Sequence, residues 1–204
     1  MSDKFLDQAY GLETPEATRN HYDRWAASYD TEIAENGYAS PGRVAAALWQ
    51  FLPEPETPVL DYGCGTGLCG LELRRVGFST VDGMDPSQEM LDSARPKGIY
   101  RDLTHLSLDD TKPITRNSYR AITGAGVLGV GAAPPEVFDM ILHALPTKGL
   151  FAFSLNDHAL SDPAYTSKLS EWVDCAAARL LFKEYGPHLP GIDLNSDVYV
   201  IEKN

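Results

Sequence analysis

The run Val59-Leu60-Asp61-Tyr62-Gly63-Cys64-Gly65-Thr66-Gly67-Leu68 constrains the fold more than any other stretch of the chain. A short apolar segment ends in a carboxylate, alternating glycines follow, and then a helix-favouring segment begins. This order reads as strand, tight loop and helix. Glycine lacks Cβ and tolerates φ > 0, so backbone at positions 63, 65 and 67 can lie close to a ligand. The helix that opens after the loop turns its free N–H groups toward the same place. A loop of this type holds a nucleotide-like group.

Around this loop the chain alternates strand and helix signals. Phe78 to Met84 reads as a second strand ending at Asp85, and Ile99 to Leu103 as a third whose end is marked by Asp102. Tyr119 to Thr123 resumes strand character and leads to Gly124, after a polar, loop-like stretch over 104–118. Leu150 to Leu155 is an apolar strand of the buried parallel type. Tail strands are expected near Leu181 to Tyr185 and Val198 to Ile201. Helices are expected over 3–10, over 44–52, over 68–76 stopped by Gly77, from Ser87 to Ala94, and from Pro134-Pro135 onward. One helix starts at Pro15 with Thr14 as its cap and places Tyr22, Trp25, Ala26, Tyr29 and Ile33 on one face. Another runs from Asp162-Pro163 with Leu169, Trp172, Val173, Ala176 and Leu180 on its buried side. This alternation is the pattern of an open α/β sheet.

At 204 residues the chain is long enough to bury a substantial core in one domain. Its formal charge of −12 and its lack of any Lys/Arg-rich run speak against nucleic acid and anionic membranes as partners. No run approaches the roughly 20 apolar residues of a membrane span. Cys64, Cys69 and Cys175 show no metal-ligand spacing, so no metal site is expected and the thiols are read as reduced and buried. The N-terminus shows no basic segment followed by an apolar one, and a cytoplasmic location is expected.

Open α/β sheets bind ligands beyond the carboxyl ends of their strands. Those ends are marked here by Asp61, Asp85, Asp102 and Gly124, and three acidic ends beside a glycine loop are more than isolated cap or turn residues. The run at 59–67 resembles the first motif of class I S-adenosylmethionine-dependent methyltransferases. Val81-Asp82-Gly83-Met84-Asp85-Pro86-Ser87, with Met90-Leu91, is similar to their second-strand motif. Tyr22-Asp23-Arg24-Trp25 and Ser28-Tyr29-Asp30 match a helix common in the small-molecule branch. More narrowly, the chain is similar to the methyltransferase-like group named for the Williams–Beuren region.

The resemblance implies a Rossmann-like, doubly wound, mostly parallel seven-stranded sheet with an antiparallel C-terminal strand. It implies a helical lid over residues 1–55, packed on the same domain above the cofactor site, and an S-adenosylmethionine-binding α/β domain over 56–204. Gly63, Cys64, Gly65 and Gly67 would surround the methionine part of the cofactor, with Asp61 facing its ammonium and sulfonium end. Asp85 would accept from both ribose hydroxyls. Asp102 and the Leu103 N–H would take the adenine edge, Met84, Pro86 and Leu128 would sandwich the ring, and Met90 and Gly124 would complete the wall. Tyr22 and Tyr29 would close the site from above.

Gly65 to Gly70 also spells the GxGxxG of nicotinamide-binding folds. There the first glycine follows the strand directly and the acidic residue lies about 20 residues on, whereas only about 15 residues separate Gly70 from Asp85. A carboxylate at the end of the strand suits a cationic ligand better than a pyrophosphate. The methyl donor is the better fit. The expected reaction is in-line transfer to a small-molecule acceptor, with a protein side chain as a lesser alternative and a non-catalytic cofactor-binding scaffold as the reading from another class. His105, His143, His158, His188 and Tyr22 are the candidate bases, and His158, just after the fifth strand, is the best placed. The sequence leaves the acceptor and the oligomeric state open.

Overall fold

Val59–Tyr62 forms β1, which is buried along its whole length, as a strand covered on both faces must be. The other strands are β2 (Val81–Asp85), β3 (Leu103–His105), β4 (Ala121–Gly124), β5 (Leu150–Asn156), β6 (Ala178–Leu189) and β7 (Leu194–Lys203). The computed structural model describes residues 5–9, 11–12, 14–110, 113–129 and 131–204. Among these residues the strands form one seven-stranded sheet of order β3-β2-β1-β4-β5-β7-β6. Strands β1 to β5 pair in parallel, and β7 runs antiparallel to both of its neighbours. The order reverses between β1 and β4, and that switch point is where such sheets open a crevice.

The helices are α1 (Phe5–Ala9), α2 (Pro15–Trp25), α3 (Tyr29–Glu35), α4 (Ser40–Phe51), α5 (Leu68–Val76), α6 (Gln88–Ala94), α7 (Glu136–Ala144), α8 (Asp157–Ser161) and α9 (Pro163–Asp174). The two-residue period of the strands divides the core into two layers. Val59, Ala121, Leu150 and Ala152 face Val44 and Leu48 of α4. Leu60, Ile122, Phe151 and Phe153 face Phe138 and Ile141 of α7. A third cluster gathers Leu6, Trp25 and Ile33 from α1–α3 against Leu189 and Leu194 of the β6–β7 turn. This cluster seats α1–α3 over the carboxyl edge of the sheet, whereas α4 packs beneath it against α5, β5 and β7.

Local chemistry explains the departures from the sequence reading. The helix expected through Ile33 breaks after Trp25, because the Trp25 indole N–H donates to Glu32 at 2.9 Å and the Leu6 N–H donates to the same carboxylate at 3.1 Å. Those two bonds need α3 turned back across α2. The helix begun at Pro163 ends at Asp174: Ala176 is left-handed, with φ 58°, and β6 starts at Ala178. Leu180 is therefore on an edge strand and 41% exposed, and Tyr165 is the buried residue of α9. The third strand begins at Leu103, later than expected, which leaves Asp102 before the strand. Cys64 and Cys69 are buried, but Cys175 is exposed. Residues 3, 4 and 10 of the expected first helix, and Val130 of the loop after β4, lie outside the described residues.

Leu48 has no exposed surface and lies between α4 and the sheet. Leu48→Ala is expected to cost about 2–5 kcal/mol of unfolding free energy in urea titrations, the usual cost of a cavity in a core with little freedom to collapse.

Candidate active site

The loop after β1 is shaped by glycine conformation and by the end of β2. Gly63, Gly65 and Gly67 all have positive φ, of 68°, 52° and 98°. The N–H groups of Gly63 and Cys64 donate to the Met84 carbonyl at 2.8 and 3.0 Å, which laces the loop to β2. A Cβ at Gly63 would lie 2.5 Å from Val127 Cγ2, whereas one at Gly65 would meet nothing within 4 Å. The open side at Gly65 faces a cavity of about 400 Å³, within the ~300–1,000 Å³ range of small-molecule sites.

Asp85 stands at the end of β2 on the cavity wall, 7% exposed. Its Oδ2 accepts the Gly65 N–H at 2.8 Å and its Oδ1 the Ser87 N–H at 2.9 Å. Ser87 in turn caps α6 by accepting the Met90 N–H at 3.1 Å. Burial pushes the Asp85 carboxyl up from 3.8 to about 6, against the two N–H donors, and the charges of Asp61 and Asp23 push the same way.

Asp61 has a different place from the one expected. It is 1% exposed and lies beneath the loop, where its Oδ2 accepts from the Tyr100 hydroxyl at 2.7 Å and its Oδ1 from the Thr123 hydroxyl at 2.9 Å. Burial raises its carboxyl, and these donors pull it back. Gly70 makes room for this arrangement, since a Cβ there would lie 2.4 Å from the Tyr100 oxygen. Cys64 and Gly67 likewise support the loop without lining the cavity: the Cys64 thiol packs toward Gly83, and Gly67 begins α5 against Tyr100 and Ile99.

The cavity brings together Gly63, Gly65, Asp85, Pro86 and Met90 on one side and Tyr22 and Tyr29 on the other. Asp102 and Leu103 are not among its walls. Strand β3 runs parallel to β2 with Leu103 opposite Gly83 and His105 opposite Asp85, so its carboxyl end is His105 and Asp102 is at its start. Asp102 is exposed and its Oδ1 accepts the Leu103 N–H. The position expected for it is taken by Leu106, Ser107 and Leu108, just past β3. Gly124 stops one residue short of the wall, which continues through Ala125, Gly126 and Val127, and Leu128 is buried behind it. Neither Met84 nor His158 lines the cavity, and His158 is exposed on α8. His188 lies at the carboxyl end of β6, 4% exposed.

Several parts of the wall were not anticipated, among them the start of α7 at Glu136, Val137 and Met140. The segment 106–108 read as loop because polar residues surround it, yet its Leu106 joins the core, as does Ile114 beyond it. Arg19, Thr18 and Pro15 extend the Tyr22 face of α2 one and two turns back, a periodicity visible in the sequence. The lid is also tied to the loop: Lys97 Nζ donates to Asp30 and to the Thr66 carbonyl at 2.6 Å, and the Thr66 hydroxyl donates to Asp30.

Gly70→Ala is expected to push the Tyr100 phenol off Asp61 and cost about 1–3 kcal/mol in urea unfolding, in spite of the better helix propensity of alanine. Gly65→Ala, with open space, should cost only the left-handed backbone, about 1–2 kcal/mol. A second outcome concerns pH. Because the folded carboxyl of Asp85 is raised, its contribution is fully present below pH 3.8 and is lost as pH rises through about 6. Relative to Asp85→Asn, the unfolding free energy of the ligand-free protein should therefore fall by roughly 2 kcal/mol between pH 4 and pH 7.

Comparison with known proteins agrees with this geometry. A family described as "methyltransferase domain" matches residues 35–190. The chain is 31% identical over 169 residues to methyltransferase-like protein 27 of Homo sapiens, covering 81% of this chain and 68% of that protein. Among solved structures it is similar to the [4+2]-cyclase SpnF, with TM-score 0.69, 17% identity, and coverage of 94% of this chain and 97% of that one. It is also similar to the 1,6-didemethyltoxoflavin-N1-methyltransferase of Burkholderia thailandensis, solved with 1,6-didemethyltoxoflavin and S-adenosylhomocysteine bound. That likeness has TM-score 0.68 and 18% identity, and covers 95% and 92% of the two chains. The two structural likenesses show a shared fold, and the sequence matches go further: the chain belongs to the methyltransferase domain family, the class I S-adenosylmethionine-dependent methyltransferases.

Proposed function

We propose that the protein binds S-adenosylmethionine in the cavity between the glycine loop and α2–α3 and transfers its methyl group in line to a small-molecule acceptor. The observation that carries this reading is Asp85. Each of its oxygens has spent one acceptor site on a backbone N–H, and each keeps a further lone pair on the cavity side. A vicinal diol such as a ribose supplies two donors at that spacing. The open backbone at Gly65 lets the rest of the cofactor lie against the loop, and Pro86, Leu106 and Leu108 offer an apolar slot for a flat base.

Bound there, the cofactor supplies an electrophilic methyl on a sulfonium. The chain's own contribution is positioning: two reactants held in alignment lower a barrier by roughly 7–11 kcal/mol. Tyr22 and Tyr29 line the cavity, and aromatic surface there favours a sulfonium cation and excludes water. The net charge of −12 argues for a neutral or cationic acceptor over a polyanion. A fold of this kind hosts unrelated chemistries, so the reaction is argued from the site.

Isothermal calorimetry tests the cofactor assignment. The wild-type protein is expected to bind S-adenosylmethionine and S-adenosylhomocysteine, and Asp85→Ala to weaken both by about 1–3 kcal/mol, or about 5- to 150-fold. Asp102→Ala should leave affinity unchanged. Binding of NADH in place of both ligands would defeat the proposal. Incubation with methyl-labelled cofactor and a metabolite extract tests the transfer: label in a small molecule is expected, and tight cofactor binding with no transfer would favour a scaffold.

A further inference from the structure

Behind Tyr22 and Tyr29 lies a second, narrower cavity of about 40 Å³, which shares those two residues, Gly126 and Ala132 with the larger one. A single water requires about 10–15 Å³ of such space, so this annex admits the end of a molecule and not its body. Leu6, Trp25 and Ile33 make much of its wall apolar. Two polar side chains line it at the carboxyl edge of the sheet, Asn156 at the end of β5 and His188 at the end of β6.

The hydrogen bonds behind His188 fix which of its nitrogens carries the proton. Arg43 Nη1, which can only donate, donates to Ser196 Oγ at 3.1 Å. Ser196 Oγ lies 3.1 Å from Ser40 Oγ, which lies 2.7 Å from His188 Nδ1. If Ser196 donates to Ser40 and Ser40 to Nδ1, every hydroxyl hydrogen in the chain is used. The opposite direction leaves the Ser196 hydroxyl hydrogen without an acceptor among the described residues, at a cost of about 1–3 kcal/mol for a buried donor. His188 therefore accepts at Nδ1 and carries its hydrogen on Nε2, which has no hydrogen-bond partner among the described residues. Burial lowers its pKa to about 4, with Arg43 and His158 acting in the same sense and Asp157 against, so the ring is neutral at pH 7.

Asn156 is oriented by a similar argument. It caps α8, and because Oδ1 must accept the Ala159 N–H at 3.0 Å, the other terminal atom is the amide nitrogen. That Nδ2 has no hydrogen-bond partner among the described residues either. Asn156 and His188 thus each bring one N–H group without a hydrogen-bond partner among the described residues to the lining of the annex. Tyr38, which also lines it, donates its hydroxyl to the Ala125 carbonyl at 3.2 Å. Among the described residues no lysine or arginine lines the annex, so a buried carboxylate would lack a counter-charge there.

We infer that the annex receives the carbonyl end of a neutral, largely apolar acceptor, whose oxygen accepts hydrogen bonds from His188 Nε2 and Asn156 Nδ2. His188 is on this account a neutral donor that places the acceptor, not a general base. The inference rests on the methyl-transfer reading above and names the acceptor class for that site.

The test uses the full chain saturated with S-adenosylhomocysteine at pH 7. Long-range ¹H–¹⁵N spectra of the wild type are expected to show the Nε2–H tautomer for His188, and an Nδ1–H tautomer overturns the inference. Acetophenone and cyclohexanone serve as carbonyl probes, α-methylstyrene as the matched hydrocarbon and benzoate as the anion. At least one ketone is expected to shift the His188 Nε2 proton and to bind at least about tenfold tighter than the hydrocarbon. No shift with either ketone, equal affinity for α-methylstyrene, or tighter binding of benzoate overturns it. Asn156→Asp keeps the oxygen that caps α8 and removes the donor, and His188→Phe removes the other donor. Each should lower ketone affinity about tenfold with S-adenosylhomocysteine affinity unchanged, and unchanged ketone affinity in both overturns the proposal. If the wild type fails to bind S-adenosylhomocysteine, the methyl-transfer reading falls and this one falls with it. Normal cofactor binding with any of the other contrary results removes the annex assignment alone.

Discussion

The site depends on a carboxylate that never reaches the cavity. Asp61 is held under the glycine loop by the hydroxyls of Tyr100 and Thr123, drawn from the segment before β3 and from β4. Two neutral hydroxyls satisfy its oxygens at hydrogen-bonding distance, which makes burial of the group tolerable without a cation. One side chain thereby ties three parts of the parallel sheet to the loop between β1 and α5. The requirement propagates into the sequence: Tyr100 reaches Asp61 only because position 70, one turn into α5, has no side chain.

With the loop fixed from below, its upper side is set by Asp85. This second carboxylate takes the Gly65 N–H and the Ser87 N–H and so joins the loop to the start of α6. The two acids differ in what remains to them. Asp61 sits at 1% exposure among donors from the protein, and Asp85 stands on the cavity wall with capacity left over. Position along the sheet makes the difference, since Asp85 closes its strand and Asp61 is followed by Tyr62.

The fold was largely legible because its signals are local. Continuous burial in β1, β4 and β5, the Ser87 cap and the Gly77 stop are all properties of a few consecutive residues. Tyr22, Tyr29, Gly63, Gly65, Asp85, Pro86 and Met90 were expected at one site and line one cavity. What was missed depends on pairing across long separations. Asp102 resembles a strand-end acid in sequence, but the register of β3 against β2 starts the strand one residue after it. The break between α2 and α3 depends on Glu32 accepting from both Trp25 and Leu6, and no periodicity announces that. Likewise His158 follows a strand in sequence yet is exposed, whereas His188, far along the chain, is brought to the same sheet edge by the β6–β7 hairpin.

The link from Lys97 through Asp30 to Thr66 gives the lid an unusual frame of reference. Asp30 is adjacent to Tyr29, whose ring lines the cavity, and Thr66 is adjacent to Gly65, whose backbone lines the opposite wall. The two walls are therefore anchored to each other as well as to the sheet. The joint couples the Tyr29 ring to the Gly65 backbone across the cavity, in addition to the bonds that hold the loop to β2. The width of the slot is thus set jointly by this ion-paired joint and by the end of β2.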